Sequence, residues 1–239
     1  MESSQGLKKL FSPFDLHYFD ADAPGKREYL TKNIESNAVL AGRKAMDELI
    51  KSDGADLSSF SIDFCKRVFQ SVGSLWFLLP TSTGGKYHGG PSSISNCIGG
   101  NIVHTSSVVG RVGKVLNRYR ELLNSTGTEF VSFREVLTVA CLLHDIGKAG
   151  ASGLEVYSSA NHGEIGASII SDCWSKGRFE DLVVESGFLF YIAPLVFSVQ
   201  EHMYMWKGIN FLERVRLDYL LTPSLLVSIM LCECDYFSF

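Results

Sequence analysis

The sequence predicts an all-α fold. Apolar residues recur at three- and four-residue steps through most of the chain, helix-starting and helix-stopping residues fall at the ends of those runs, and no strand-rich stretch, internal repeat or low-complexity tract intervenes. With 239 residues, 46% of them apolar and 12% aromatic, the chain can bury the core of one large domain or of a domain with an appended part.

Residues 1 to about 26 mix Gly, Pro and Asp with isolated aromatics such as Phe11, Phe14 and Tyr18, fit neither helix nor strand, and read as an irregular lead. From Lys26 to Ile50, the residues Leu30, Ile34, Ala38, Ala41, Ala45 and Leu49 form one amphipathic face, and Ser52-Asp53-Gly54 closes the helix. A second helix lines up Phe60, Phe64, Val68, Val72, Leu75 and Leu79 and stops before Pro80. Neither carries polar groups on its buried face, so both read as structural.

The stretch from Pro80 to Pro91 is a long loop. It is either a plain flexible connector or a phosphate-holding loop, since its Ser82 and Thr83 hydroxyls, glycine N–H groups, Lys86 and His88 are the kind of groups that hold a phosphate. A long helix from Ile94 or Ile98 to Leu123 then places His104, Val108, Val112, Val115, Tyr119 and Leu122 in one stripe. His104 thus occupies a core position, and Gly99-Gly100 before it permits another backbone to come close.

Ser132-Phe133-Arg134-Glu135 reads as a capping box, with Val131 and Val136 as the flanking staple. The stripe Val136, Leu137, Ala140, Cys141 and Leu143 drives that helix into the core, delivers His144 and Asp145 at its end, and leaves Gly147 to stop it. His162, Ile165, Gly166 and Ile169 share the next helical face, and Leu195, Val199 and His202 the one after. Thr222-Pro223 reads as an N-cap with proline at the first helical position of a last helix whose apolar side carries Leu225, Ile229, Cys232 and Asp235.

The net charge is −4 with scattered Lys and Arg, which gives no footprint for strong duplex nucleic-acid binding or for an anionic membrane. The run Phe188 to Val199 is too short to span a bilayer and is interrupted by Pro194, and Met1-Glu2-Ser3-Ser4 shows no signal pattern. Six cysteines lie mostly inside apolar runs without zinc-ribbon spacing. A cytoplasmic protein with reduced thiols is expected.

A single histidine on an apolar face is ordinarily a packing residue. Here His104, His144, His162 and His202 all fall on apolar stripes of different helices, and Asp145 and Asp235 fall on buried sides too. Buried carboxylates need partners to stay ionised, and a divalent metal supplies one while taking imidazole nitrogen. The six residues therefore read as ligands of a metal centre.

The order of His104, the His144-Asp145 doublet followed by Gly147 and Lys148, and Asp235 resembles the H…HD…D pattern of the HD-domain superfamily of metal-dependent phosphohydrolases. Gly99-Gly100-Asn101-Ile102-Val103-His104-Thr105 is similar to a helix start of that family. Pro80-Thr81-Ser82-Thr83 with Lys86-Tyr87-His88 resembles a loop of bacterial and phage members, some of them similar to HD-type 3′–5′ exoribonucleases. His162 and His202 match the extra histidines of two-metal members, although Met203 stands where a further histidine would follow.

The resemblance implies an HD-type helical bundle over residues 80–239 with an N-terminal helical segment, 1–79, appended. It implies phosphoester hydrolysis of a nucleotide or short oligonucleotide by metal-activated water, with one or two divalent ions (Mn, Fe, Co, Ni, Zn or Mg). His104, His144, Asp145 and Asp235 would hold the first ion, and His162 and His202 the second, with Asp145 between them. Lys148 would contact a phosphate oxygen or favour the helix C-terminus, and Lys86 and His88 would bind phosphate or protonate the leaving oxygen. Glu164 and Glu201 would orient imidazoles from behind, unless Glu201 is a solvated surface acid, and Arg111 and Lys114 would line a phosphate groove or face solvent. The rival expectation is a helical module that binds a nucleotide without hydrolysing it or holds a purely structural metal.

Overall fold

The computed structural model describes residues 37–52, 57–81, 99–125, 130–151, 161–177, 189–203, 223–236 and 238. Among them every regular element is helical: α1 (Asn37–Ser52), α2 (Ser59–Ser71), a 3₁₀ turn (Ser74–Leu78), α3 (Gly100–Val109), α4 (Val112–Arg118), α5 (Arg120–Ser125), α6 (Phe130–Leu143), a second 3₁₀ turn (Ile146–Ala149), α7 (His162–Lys176), α8 (Leu189–Glu201) and α9 (Pro223–Tyr236). The all-α expectation holds.

The centre is α6. From Val136 to Leu143 every residue is buried, as in a helix that is apolar on all sides and surrounded by others. It packs against α3, α8 and α9, and also against α2 and α4. The tightest association lies on its C-terminal side, where α8 lies against α7 and α9, and the second 3₁₀ turn packs on α7. Residues from α1, α2 and the first 3₁₀ turn, among them Met46, Phe64, Trp76 and Phe77, belong to the same buried cluster as Leu137, Val199 and Leu231.

Three helix readings are corrected. The second predicted helix ends at Ser71, with Val72 and Gly73 extended, and the chain re-enters as the 3₁₀ turn. That corner buries Leu75, Trp76, Phe77 and Leu78 together, which a single amphipathic face cannot do. The long helix to Leu123 is cut at Gly110 and at Tyr119 into α3, α4 and α5. Tyr119 turns its phenol to donate to the Glu233 carboxylate of α9 at 2.9 Å, beside the Arg118 guanidinium.

The capping box does not form as read, because α6 begins at Phe130 and Ser132 lies inside it. Glu135 instead accepts from the Ser58 backbone N–H (2.8 Å) and hydroxyl (2.5 Å), tying the start of α2 to α6. Ser58 itself caps α2, with its oxygen accepting from the Ser61 N–H. At the other end of the chain, Pro223 is the first residue of α9, as expected, while Thr222 lies outside the described residues.

Candidate metal centre

Five separate segments converge on one buried point. His104 comes from the middle of α3, His144 and Asp145 from the turn that ends α6, His162 from the first position of α7, His202 from just past α8, and Asp235 from the last turn of α9. All six are buried. Among the described residues their ligand atoms form two groups, His104 with His144 and Asp235, and Asp145 with His162 and His202, the atoms of each group lying within 4.8 Å of one another.

Asp145 stands between the two groups. Its Oδ2 lies 3.1 Å from His144 Nε2 and 3.5 Å from His104 Nε2, and its Oδ1 lies 3.2 Å from His162 Nε2 and 3.7 Å from His202 Nε2. Asp235 Oδ1 closes the first group at 3.0 Å from His104 Nε2 and 3.9 Å from His144 Nε2.

The backbone sets the ring tautomers. His144 Nδ1–H donates to the Cys141 carbonyl at 2.8 Å and His202 Nδ1–H to the Val199 carbonyl at 2.6 Å. The Ser238 hydroxyl donates to the Asp235 carbonyl at 2.7 Å and accepts from His104 Nδ1–H at 3.3 Å. With Nδ1–H committed in this way, Nε2 is the atom each of these three rings presents to the centre for a metal. His104 Nε2 and His144 Nε2 stand 3.2 Å apart, as do those of His162 and His202. Imidazole nitrogens that close together, flanked by carboxylate oxygens, form a donor set for cations. Imidazole with carboxylate suits first-row divalent ions.

Electrostatics agree. Burial holds His104 and His202 below the ordinary histidine pKa, so both stay neutral and available as ligands. Burial opposes protonation of His144 as well, but the Asp145 carboxylate outweighs it and raises that pKa, so a metal at His144 would displace a proton. Burial would raise Asp145, yet His144 and Lys148 hold it well below the usual carboxylate range. Asp235 is likewise held down by His104 against the effect of burial.

Two glycines let the segments meet. A Cβ on Gly147 would lie 2.1 Å from the His162 carbonyl oxygen and 2.6 Å from the Gly166 N. One on Gly163 would lie 2.7 Å from the Gln200 carbonyl. The second 3₁₀ turn and α8 therefore approach α7 backbone to backbone, and His162 and His202 are placed by that contact. Gly147 does not stop the helix, which has already ended at Leu143; it makes room for α7. The expected close approach at Gly99-Gly100 is present, with Gly99 in the left-handed region at φ 73° and its N–H donating to the Leu78 carbonyl.

The sequence profile of the HD domain family matches residues 109–238, more than half of the chain. The chain belongs to the HD-domain family. HD domains are mostly metal-dependent hydrolases, and the paired His/Asp groups are able to hold metal here. No curated protein and no solved structure matches the chain. The HD match begins after His104, so one of the convergent histidines lies ahead of it.

Lys148 is buried, with Nζ 2.5 Å from Asp145 Oδ2 and 2.9 Å from the Thr81 carbonyl. Ser82, Thr83, Lys86 and His88 lie outside the described residues. Glu164 is exposed on α7. Glu201 is buried beside His202. Arg111 is half-buried and Lys114 exposed.

Sequence reasoning missed Trp76, Asn101 and Ser238. The Trp76 indole N–H donates to the Asp145 carbonyl at 2.9 Å. The Asn101 amide, turned to satisfy its neighbours, donates to Asp145 Oδ2 at 3.3 Å and accepts from the Trp76 indole N–H at 3.2 Å. Asn101 and Ser238 sit three residues from His104 and Asp235, a helical spacing that could have flagged them. Trp76 gave no signal, because an aromatic residue in an apolar run looks like core.

Proposed function

We propose that this HD-domain protein hydrolyses a phosphoester of a nucleotide or short oligonucleotide. The carrying observation is the split of Asp145, one oxygen toward His104 and His144 and the other toward His162 and His202. In that arrangement one carboxylate would serve both groups of histidines as a shared metal ligand. His104, His144 and Asp235 would complete the first coordination set and His162 and His202 the second.

Divalent ions held there supply the Lewis acidity that makes water a nucleophile at neutral pH and offsets charge on phosphoryl oxygens. With divalent ions bound, the two carboxylates and Lys148 would leave a positively charged buried site, which would favour an anionic substrate. A phosphate with hydroxide offsets that charge, whereas a neutral ester does not.

In the reaction a water oxygen bonds to phosphorus, the bond from phosphorus to the leaving oxygen breaks, and that oxygen takes a proton. His88 is our candidate for the proton and Lys86, Ser82 and Thr83 for phosphate contact, on the sequence pattern of the 80–91 segment alone. The same pattern supports the finer reading, a bacterial or phage branch with oligonucleotide 3′ ends as substrate. The five described cysteines are all free, which agrees with the cytoplasmic setting we propose. No helix among the described residues is long and apolar enough to cross a membrane.

The test is metal analysis of the purified protein, followed by a metal-supplemented screen over mono-, di-, tri- and cyclic nucleotides and short oligomers, with and without chelator. Chelator-sensitive turnover that His144→Ala abolishes is expected. Absence of bound metal, with turnover undiminished in His144→Ala, overturns the proposal. Tight nucleotide binding without turnover would instead establish the non-hydrolysing module.

A further inference from the structure

The turn that carries Asp145 is held from residues outside the stretch that matches the HD profile. Asp145 has left the helix, at φ −99° and ψ 11°, so its carbonyl lacks an α-helical partner. It accepts instead from the Lys148 backbone N–H at 3.0 Å and from the Trp76 indole at 2.9 Å. The indole is fully buried, and a buried N–H without an acceptor is costly. That bond orients the peptide plane from which the Asp145 side chain projects.

The carboxylate end is held from the same place. Lys148 Nζ reaches Asp145 Oδ2 and the Thr81 carbonyl together. Thr81 in turn donates its hydroxyl to the Gly100 carbonyl at 2.9 Å, and the Gly99 and Asn101 N–H groups donate to the carbonyls of Leu78 and Leu79. Residues 76–81 are thereby joined both to the helix that bears His104 and to the acid that faces both histidine pairs. Packing alone does not require tryptophan: Phe69 and Phe77 contact the ring at centroid distances of 5.0 and 5.2 Å, and phenylalanine would keep such contacts.

We infer that the segment 76–81 positions Asp145 for metal, with Trp76 holding its carbonyl and Lys148, anchored on the Thr81 carbonyl, holding its carboxylate. Trp76 and Lys148 are positioning residues. The inference rests on the reading of Asp145 as a metal ligand.

The experiment is calorimetric titration of the chelator-stripped full chain with Mn²⁺ alone. Wild-type protein that binds no Mn²⁺ ends the metal-centre reading itself. Given wild-type binding, Trp76→Phe should weaken Mn²⁺ affinity about tenfold, the range of losses when groups behind a ligand are removed. The circular dichroism of the metal-free variant should stay that of wild type. Unchanged affinity in Trp76→Phe overturns the inference and leaves the metal-centre reading standing. Should Trp76→Phe fail to fold, Lys148→Met decides by sign. If Lys148 acts only as a nearby like charge, its removal tightens Mn²⁺ binding, which overturns the inference; if it positions Asp145, binding weakens.

Discussion

Gly147→Ala tests whether the second half of the centre is built by backbone contact. The added methyl would start 2.1 Å from the His162 carbonyl oxygen, where ordinary contact begins at 3.4 Å, so 3.4 − 2.1 = 1.3 Å must be found. A second obstacle, the Gly166 N at 2.6 Å, is also backbone, so no flexible side chain can swing aside. Either the 3₁₀ turn or the first turn of α7 has to retreat by about 1 Å, and His162 is the first residue of that turn. Overpacking of this kind costs about 1–3 kcal/mol, and obstacles on two peptides put it at the upper end. For a chain of this size 2–3 kcal/mol lowers Tm by roughly 4–12 °C. His162 Nε2 now stands 3.2 Å from Asp145 Oδ1, and a shift of that size takes it out of reach of a shared ion. The assay is thermal unfolding of the stripped protein together with metal content per chain. Expected are the lower Tm and loss of the ion on the His162 and His202 side, with the His104 side retained. A variant with Tm within about 1 °C of wild type and full metal content would refute the reasoning.

Gly113→Ala is the matched control: nothing lies within 4 Å of its Cβ position in α4, so chemical denaturation should show stabilisation of about 0.5–1 kcal/mol. Asp145→Asn should lower affinity at both metal positions, whereas Asp235→Asn should affect only the His104 and His144 side; equal metal loss in the two variants would contradict the bridging arrangement. The metal-free protein should be less stable at pH 5 than at pH 7.5, read by thermal shift. His104 and His202 are depressed by burial, so the stability they give is present above the unfolded value of about 6.5 and is lost as pH falls through their folded values. His144 is raised and acts in the opposite sense, one group against two. In His144→Gln, which removes the opposing group, a flat profile would show that His104 and His202 are not held neutral.

The helical class and the centrality of α6 were legible because local periodicity and burial agree there: Val136, Leu137, Ala140, Cys141 and Leu143 are all buried, as their spacing requires. The breaks were not legible. Val72, Leu75 and Leu79 keep a helical spacing through Gly73, yet the chain turns, because a corner buries Trp76 and Phe77 along with Leu75. Glu135 was read as a local cap for the same reason that such readings fail elsewhere. The sequence places it three residues after Ser132, but the helix begins earlier, at Phe130, and the donors that Glu135 meets lie across the fold, at the Ser58 N–H and hydroxyl.

Within the site, visibility followed from conflict with the pattern. His104, His144, His162, His202, Asp145 and Asp235 are polar groups where apolar ones are expected, and desolvation makes such a residue costly unless something answers it. Each stood out, and the structure brings all six together. Trp76 raises no such conflict: most of its surface is apolar, it lies in an apolar run, and its one polar atom is satisfied by a carbonyl distant in sequence. Gly147 had a local reading, helix termination, that hid its long-range one. A ligand can be found from its own cost of burial, whereas a group that orients a ligand is already satisfied and shows itself only once the fold has closed. The outer layer of this centre is therefore where sequence reasoning alone runs out, and it is where Trp76→Phe and Gly147→Ala should change metal binding without removing a single ligand.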